Sequence, residues 1–199
     1  MFYLARKRIL CEVAGVADLV ITISGLHGTG KSTYAKMLSN EFGIRHVSSG
    51  ELFRKIAEEK GTSVERLTKM AEKDKEIDCL IDERTKKEAE KGSVVIDGLL
   101  AGWFAKPYAD IKIYLKSPDE DRIRRIAKRD GVPYEEAERE TLFRENAERK
   151  RFKKFYGINL DDTSIYDYVI NTSLMTLESN LRCLKMFVQE YVSNRSEET

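Results

Sequence analysis

A dominant charge of either sign is missing from this chain. Its 35 lysines and arginines meet 34 aspartates and glutamates, for a formal net charge of +1. No global field therefore points to a nucleic-acid backbone or an anionic membrane, and no interleaving of aromatic and basic residues argues for nucleic acid either. Cysteine is scarce: Cys11, Cys79 and Cys183 are far apart, odd in number and outside any Cys-x-x-Cys spacing, which disfavours both a disulfide framework and a zinc site. The two histidines, His27 and His46, are isolated and form no metal-binding pair. No apolar run approaches the ~18 residues of a membrane span. The N-terminal stretch carries Arg6-Lys7-Arg8 but only a short, interrupted apolar segment, unlike a secretory signal, so a cytoplasmic location is expected. What remains is 41% hydrophobic and 35% charged residues, a globular and charge-rich balance. At 199 residues the chain is long enough for one domain, 1–199, with a full core.

From Leu19 onward apolar strands alternate with amphipathic helices. Strands are expected at Val20–Ser24, Arg45–Val47, Val94–Ile96, Ile111–Leu115 and Tyr168–Ile170. Helices are expected at Lys31–Glu41, Gly50–Glu59, from Ser63, at Ile77–Lys91, Asp119–Arg129, Tyr134–Phe155 and Thr176–Tyr191. Gly43, Gly61 and Gly92 are stop signals, and Ser117-Pro118 reads as a helix cap. The pattern implies an α/β fold: a parallel sheet of about five strands covered by helices on both faces. Residues 1–17 read as an extension without an assigned role, and Ser193 to Thr199 as a frayed tail.

The strongest local signal is Gly25-Leu26-His27-Gly28-Thr29-Gly30-Lys31-Ser32-Thr33. It follows a strand and opens a helix, the setting of a phosphate-binding loop. Glycines free backbone N–H groups to cradle phosphates, and the helix directs its positive end at the same spot. Lys31 reaches the β- and γ-phosphates, and the Ser32 hydroxyl is a ligand for Mg2+. The loop says nucleotide; by itself it does not say kinase. Asp97 directly follows the second all-apolar strand, which in a parallel sheet brings it to the carboxyl edge near the phosphates. It is a candidate for holding Mg2+ or binding an acceptor, and equally a turn aspartate in Asp97-Gly98.

Other stretches leave two readings open. Ser49 reads as a helix cap, Phe53 as core and Arg54 as a residue of a solvated face. Arg122, Arg125 and Arg129 recur at one helical spacing, and Arg144, Glu148 and Arg151 at another. Each set is either a salt-bridged surface, with Glu135, Glu136, Glu138, Glu140 and Glu145 as local partners, or a source of cations for phosphoryl transfer. His27 reads as an exposed loop residue and His46 as a strand residue.

Taken together, four segments resemble the P-loop nucleoside monophosphate kinases, most closely the archaeal-type cytidylate (CMP) kinases. They are Ile23–Thr33, Val47-Ser48-Ser49-Gly50-Glu51-Leu52-Phe53-Arg54, Asp97-Gly98-Leu99-Leu100-Ala101-Gly102-Trp103, and the block from Arg144-Glu145 to Thr172. The likeness covers Val20 to Thr172. It implies ATP with Mg2+ as the donor and CMP or dCMP as the acceptor. It implies that Ser49 and Arg54 line the monophosphate site with Phe53 near the base, and that Arg144 and Glu148 contact acceptor ribose and phosphate. Arg151 would contact phosphate at transfer, and Arg125 and Arg129 the ATP. About 50–91 would be a movable acceptor-binding segment, and about 129–144 a lid. A monomer is expected. One departure bears on the acceptor: the family's arginine after the acid-Gly pair is Leu99 here. A lost charge-assisted hydrogen bond is worth roughly 1.5–3 kcal/mol. Kinases for AMP, UMP or another small metabolite, and a P-loop ATPase without an acceptor, are the competing readings.

Overall fold

The computed structural model of the chain describes residues 18–197. The reading of 1–17 as an extension lies outside the described residues. Five strands form one all-parallel sheet: β1 (Val20–Ser24), β2 (Arg45–Ser48), β3 (Val94–Asp97), β4 (Ile111–Lys116) and β5 (Tyr168–Asn171), in the order β2-β3-β1-β4-β5. The helices are α1 (Lys31–Phe42), α2 (Ser49–Glu59), α3 (Val64–Ala71), α4 (Glu76–Glu90), α5 (Ala101–Phe104), α6 (Asp119–Asp130), α7 (Tyr134–Tyr156) and α8 (Leu177–Glu197).

All five β1 residues are buried, because helices cover both faces of the sheet. On one face Ile21, Ile23, Val95, Ile113 and Leu115 pack with Tyr34, Ala35 and Leu38 of α1 and with Leu184 and Val188 of α8. On the other, Val20, Val94 and Ile96 meet Ala89 of α4 and Ala101 beside Ala105. Burying each such aliphatic side chain stabilises the fold by about 1.5–3 kcal/mol. A separate cluster joins Phe53, Ile56 and Ala57 of α2 to Leu67 and Ala71 of α3 and Ile77 of α4. The register sets the functional edge: Ile23 and Ser48 both lie opposite Asp97, so the chain leaving β1, β2 and β3 emerges at one place.

Three local expectations are corrected. The cap of α2 is Ser48, whose Oγ accepts the Glu51 N–H at 3.3 Å, and Ser49 is already helical. Ser117 caps nothing; its hydroxyl pairs with that of Ser173 at 2.6 Å, and Pro118 takes the cap position of α6. The chain end from Ser193 onward continues α8 through Glu197. Residues 129–144 span the end of α6, a link at 131–133 and the first turns of α7. Ile123 and Ile126 close that corner against Ala137, with Val132 and Tyr134 alongside.

Candidate active site

The loop from Gly25 to Gly30 joins β1 to α1, and two glycines hold its course. Gly25 has φ +145°, and a Cβ there would stand 2.2 Å from the Leu115 carbonyl oxygen. Gly28 has φ +78°, and its Cβ would stand 2.4 Å from the carbonyl of Arg122. Only glycine fits both the conformation and the space. Inside the loop the Thr29 hydroxyl and the Lys31 ammonium both donate to the Leu26 carbonyl, at 2.8 and 2.9 Å. Burial pulls the Lys31 ammonium down to about 8, against the favourable charges of Asp97 and Glu148. It is a cation short of anions, in the place where phosphates are expected.

Asp97 is 2% exposed and gathers three side chains from two elements, α1 and β2. Ser32 Oγ donates to its Oδ2 at 2.8 Å and Ser48 Oγ at 3.3 Å, while His46 Nε2 lies 2.6 Å from Oδ1. A turn role does not explain this convergence. Beside it, Ser49 packs on Gly98, where a Cβ would come within 2.6 Å of the serine hydroxyl.

A second network ties the loop to α7. Arg122 is 1% exposed. It donates to Glu145, to Asp119 and to the His27 carbonyl, at 2.6, 2.5 and 2.7 Å. Arg122 therefore does not share a solvent face with Arg125 and Arg129; it is a buried strut. Glu145 also accepts the His27 N–H at 3.2 Å. The His27 ring is not simply exposed either: its Nε2 lies 2.7 Å from Glu148 Oε2. Burial pushes the imidazole below its ordinary value, opposed by Glu148. Desolvation works to raise the Glu148 carboxyl, yet His27, Arg144 and Arg151 together hold it at about 2.

One cavity of about 660 Å³ takes in most of these groups, within the range of small-molecule sites. Lys31, Arg54, Arg125, Arg129, Arg144 and Arg151 all line it, as do His27, Gly28, Thr29, Gly30, Ser32, Thr33, Ser49, Phe53, Asp97 and Glu148. Gly25, Leu26 and Gly98 are not on its wall and act through the backbone course around it. Arg125 donates to the Thr172 hydroxyl at 3.0 Å, which itself donates to the Thr29 carbonyl at 3.1 Å. Arg129 is paired with Asp130, Arg144 with Glu148 and Arg151 with Asp78. Arg54 makes no ion pair among the described residues. Arg144 also lies over the Phe53 ring, 5.5 Å from its centroid. Leu99 lines the cavity as part of an apolar cluster with Leu100, Phe104 and Phe152.

Sequence reasoning missed the far wall of this cavity. There Asp78 and Asp82 sit one turn apart on α4, 4% and 8% exposed. Burial lifts Asp78 to about 6 against the pull of Arg151, and Asp82 to about 7 against a hydrogen bond from the Tyr156 hydroxyl. Their i, i+4 spacing was the available signal, hidden in a helix charged on every side.

Among the described residues no group of three or more His, Cys, Asp and Glu side chains is arranged to hold a metal ion. The hard oxygens of Ser32 and Asp97 nonetheless suit Mg2+, which keeps waters and substrate phosphates as its main ligands. No helix among the described residues is long and apolar enough to cross a membrane.

Comparison with known proteins shows the family and the fold. A sequence model of the cytidylate kinase-like family matches residues 20–174. The cytidylate kinase of Ignicoccus hospitalis is 50% identical over 166 residues, 83% of this chain and 96% of that protein. That of Staphylothermus marinus is 44% identical over 174 residues, covering 87% and 98%. The fold resembles the crystal structure of a shikimate kinase from Bacteroides thetaiotaomicron, with a TM-score of 0.58 at 19% identity, over 86% of this chain and 98% of that one. Since the family match begins at β1 and runs past β5, taking in the phosphate loop, the Asp97 edge and both arginine helices, the chain belongs to the cytidylate kinase-like family.

Proposed function

We propose that this protein transfers the γ-phosphoryl group of ATP to CMP or dCMP, releasing ADP and the cytidine diphosphate. The observation that carries the reading is the convergence of Lys31 and five arginines on one cavity that takes in the phosphate loop, the apolar side chains of Leu99, Leu100, Phe104 and Phe152, and the carboxylates of α4. A nucleotide-hydrolysing switch has no use for a cavity that continues past the phosphate loop to α4. The acceptor phosphate is already an anion, so no strong general base is needed. Catalysis is positioning and charge neutralisation.

The loop N–H groups and Lys31 hold the β- and γ-phosphates, and the phosphate anions in turn favour the charged form of Lys31. Ser32 and Asp97 would hold Mg2+, which would supply positive charge to offset that of the ATP phosphates. His46 and Ser48 keep the Asp97 carboxylate turned toward Ser32. Arg125 and Arg129 serve ATP. Arg54, exposed and without an ion pair among the described residues, meets the acceptor phosphate with Ser49, while Arg144 and Arg151 stabilise the charge of the moving group. Glu148 orients Arg144 and the acceptor ribose, and Phe53 stacks near the base. Arg54, Arg144 and Arg151 compensate for the arginine replaced by Leu99. The α2–α4 segment and residues 129–144 close over the substrates and exclude water.

Coupled ADP release from ATP and Mg2+ with CMP, dCMP, UMP, AMP, GMP and shikimate in parallel tests this. Turnover with CMP and dCMP well above the others is the expected result. Preference for another acceptor transfers the assignment to that acceptor, and slow hydrolysis indifferent to all six removes the kinase reading.

A further inference from the structure

The compartment beyond the phosphates is apolar on its sides, with Leu99, Leu100, Phe104 and Phe152 in its wall. Polar groups meet it at α4, and two of the three are already engaged. Asp78 Oδ2 is held by Arg151 Nε at 2.8 Å. The Thr85 hydroxyl pairs with Ser49 at 3.3 Å. Asp82 differs. Its Oδ2 accepts the Tyr156 hydroxyl, while its Oδ1 has no hydrogen-bond partner among the described residues. Tyr156 is itself pinned, packing edge-on against Phe104 with ring centroids 5.1 Å apart. Burial and the neighbouring carboxylates push its phenol well above the ordinary range, so it is a permanent donor and Asp82 Oδ2 a permanent acceptor.

A carboxylate oxygen without a protein partner, in the wall of a cavity that is otherwise apolar there, suits a ligand that brings a donor to it. Resting on the kinase reading above, we propose that Asp82 reads the acceptor base: its Oδ1 accepts a hydrogen bond from the exocyclic 4-amine of a pyrimidine and rejects a 4-keto base. Cytosine carries that amine. Uracil carries a keto oxygen, whose lone pairs meet those of the carboxylate and leave both groups buried and unpaired. A pocket built around a hydrogen bond discriminates far more strongly than one built on shape. Tyr156 is the positioning residue, fixing which carboxylate oxygen is turned to the slot.

The test compares kcat/KM for CMP, UMP and the pyrimidin-2-one riboside 5′-monophosphate, which is CMP without its amine. It is run at pH 8, where Asp82 is ionised. The wild-type protein is expected to prefer CMP over the amine-less analogue by roughly 10- to 100-fold, the value of one charge-assisted hydrogen bond. In Asp82→Asn the Tyr156 hydroxyl keeps the amide oxygen on its own side and turns the NH2 donor to the slot. CMP use then falls by roughly 10- to 100-fold and UMP use rises. Equal use of CMP and the analogue by the wild type overturns the assignment, even if the variant does not fold. An unchanged CMP-to-UMP ratio in Asp82→Asn, with both activities lowered in parallel, overturns it as well. If wild type uses CMP without such discrimination, only the role of Asp82 falls; if CMP stimulates no ADP release at all, the kinase reading falls with it.

Discussion

Arg122 shows how a single residue changes meaning between sequence and fold. Its spacing joins it to Arg125 and Arg129, yet it is buried and spent on Glu145, Asp119 and the His27 carbonyl. Helical spacing cannot report that α7 lies over that side of α6. Removing one partner of a buried ion pair costs about 3–5 kcal/mol, since the other charge is left uncompensated. Arg122→Ala is therefore expected to lower Tm by roughly 6–20 °C and to raise KM for ATP by releasing His27, while Arg122→Met with Glu145→Leu recovers most of the lost stability. Thermal melts and an ATP titration check both. Asp78 and Asp82 carry the opposite sign of linkage. Their folded values, about 6 and about 7, lie above those of the unfolded chain. The stability they contribute is full in acid and is lost as pH rises through those values. Melting temperature is thus expected to decline from pH 5 to pH 8, and Asp82→Asn to flatten that decline. A decline just as steep in the variant would assign it to other groups.

At the scale of elements, β1 and β3 were legible because parallel, doubly covered strands are continuous apolar, β-branched runs, and the long helices α1, α6 and α7 each ended at a glycine. The caps at Ser48 and Ser117 were not. Adjacent serines are equally good caps, and pairing of Ser48 with Asp97 across the sheet decided between them. The phosphate loop was legible because its residues form one contiguous motif, although the carbonyls that demand Gly25 and Gly28 belong to Leu115 and Arg122, and the tie of His27 to Glu148 could not be read from it. The far wall at Asp78, Asp82 and Tyr156 was not, because it joins residues more than seventy positions apart. Two predictions belong to the loop. Lys31→Ala is expected to lower kcat by about 10²- to 10³-fold, as loss of one preorganised charge does, with little change in Tm. In the wild-type protein, kcat/KM for ATP is expected to fall above pH of about 8, where Lys31 loses its proton in the free enzyme. A profile that stays level to pH 10 would contradict that assignment.

Across the whole molecule two cores are built differently. The sheet core is shared among four strands and the helices α1 and α8. The α2–α4 cluster is closed among its own helices; it is anchored to the sheet at Ala89, near the end of α4, and meets the far side of the cavity through polar ties, chiefly Arg151 to Asp78 and Tyr156 to Asp82. Apolar packing resists sliding, whereas a few polar contacts across a cavity can be exchanged for contacts with a ligand. The α2–α4 segment, proposed to bind the acceptor, is therefore the one expected to move. An analogue that joins adenosine to cytidine through five phosphates spans both compartments and holds them closed. At a free concentration of one hundred times its Kd it stabilises the folded state by about 2.7 kcal/mol, or roughly 5–11 °C in Tm for a chain of this size. Amide exchange tells where that stabilisation lands. Slowing is expected to concentrate in the phosphate loop, in residues 49–90 and in 129–144, with α8 scarcely changed. Uniform slowing throughout the chain would mean that the ligand stabilises one rigid body, and that α2–α4 does not close over the acceptor.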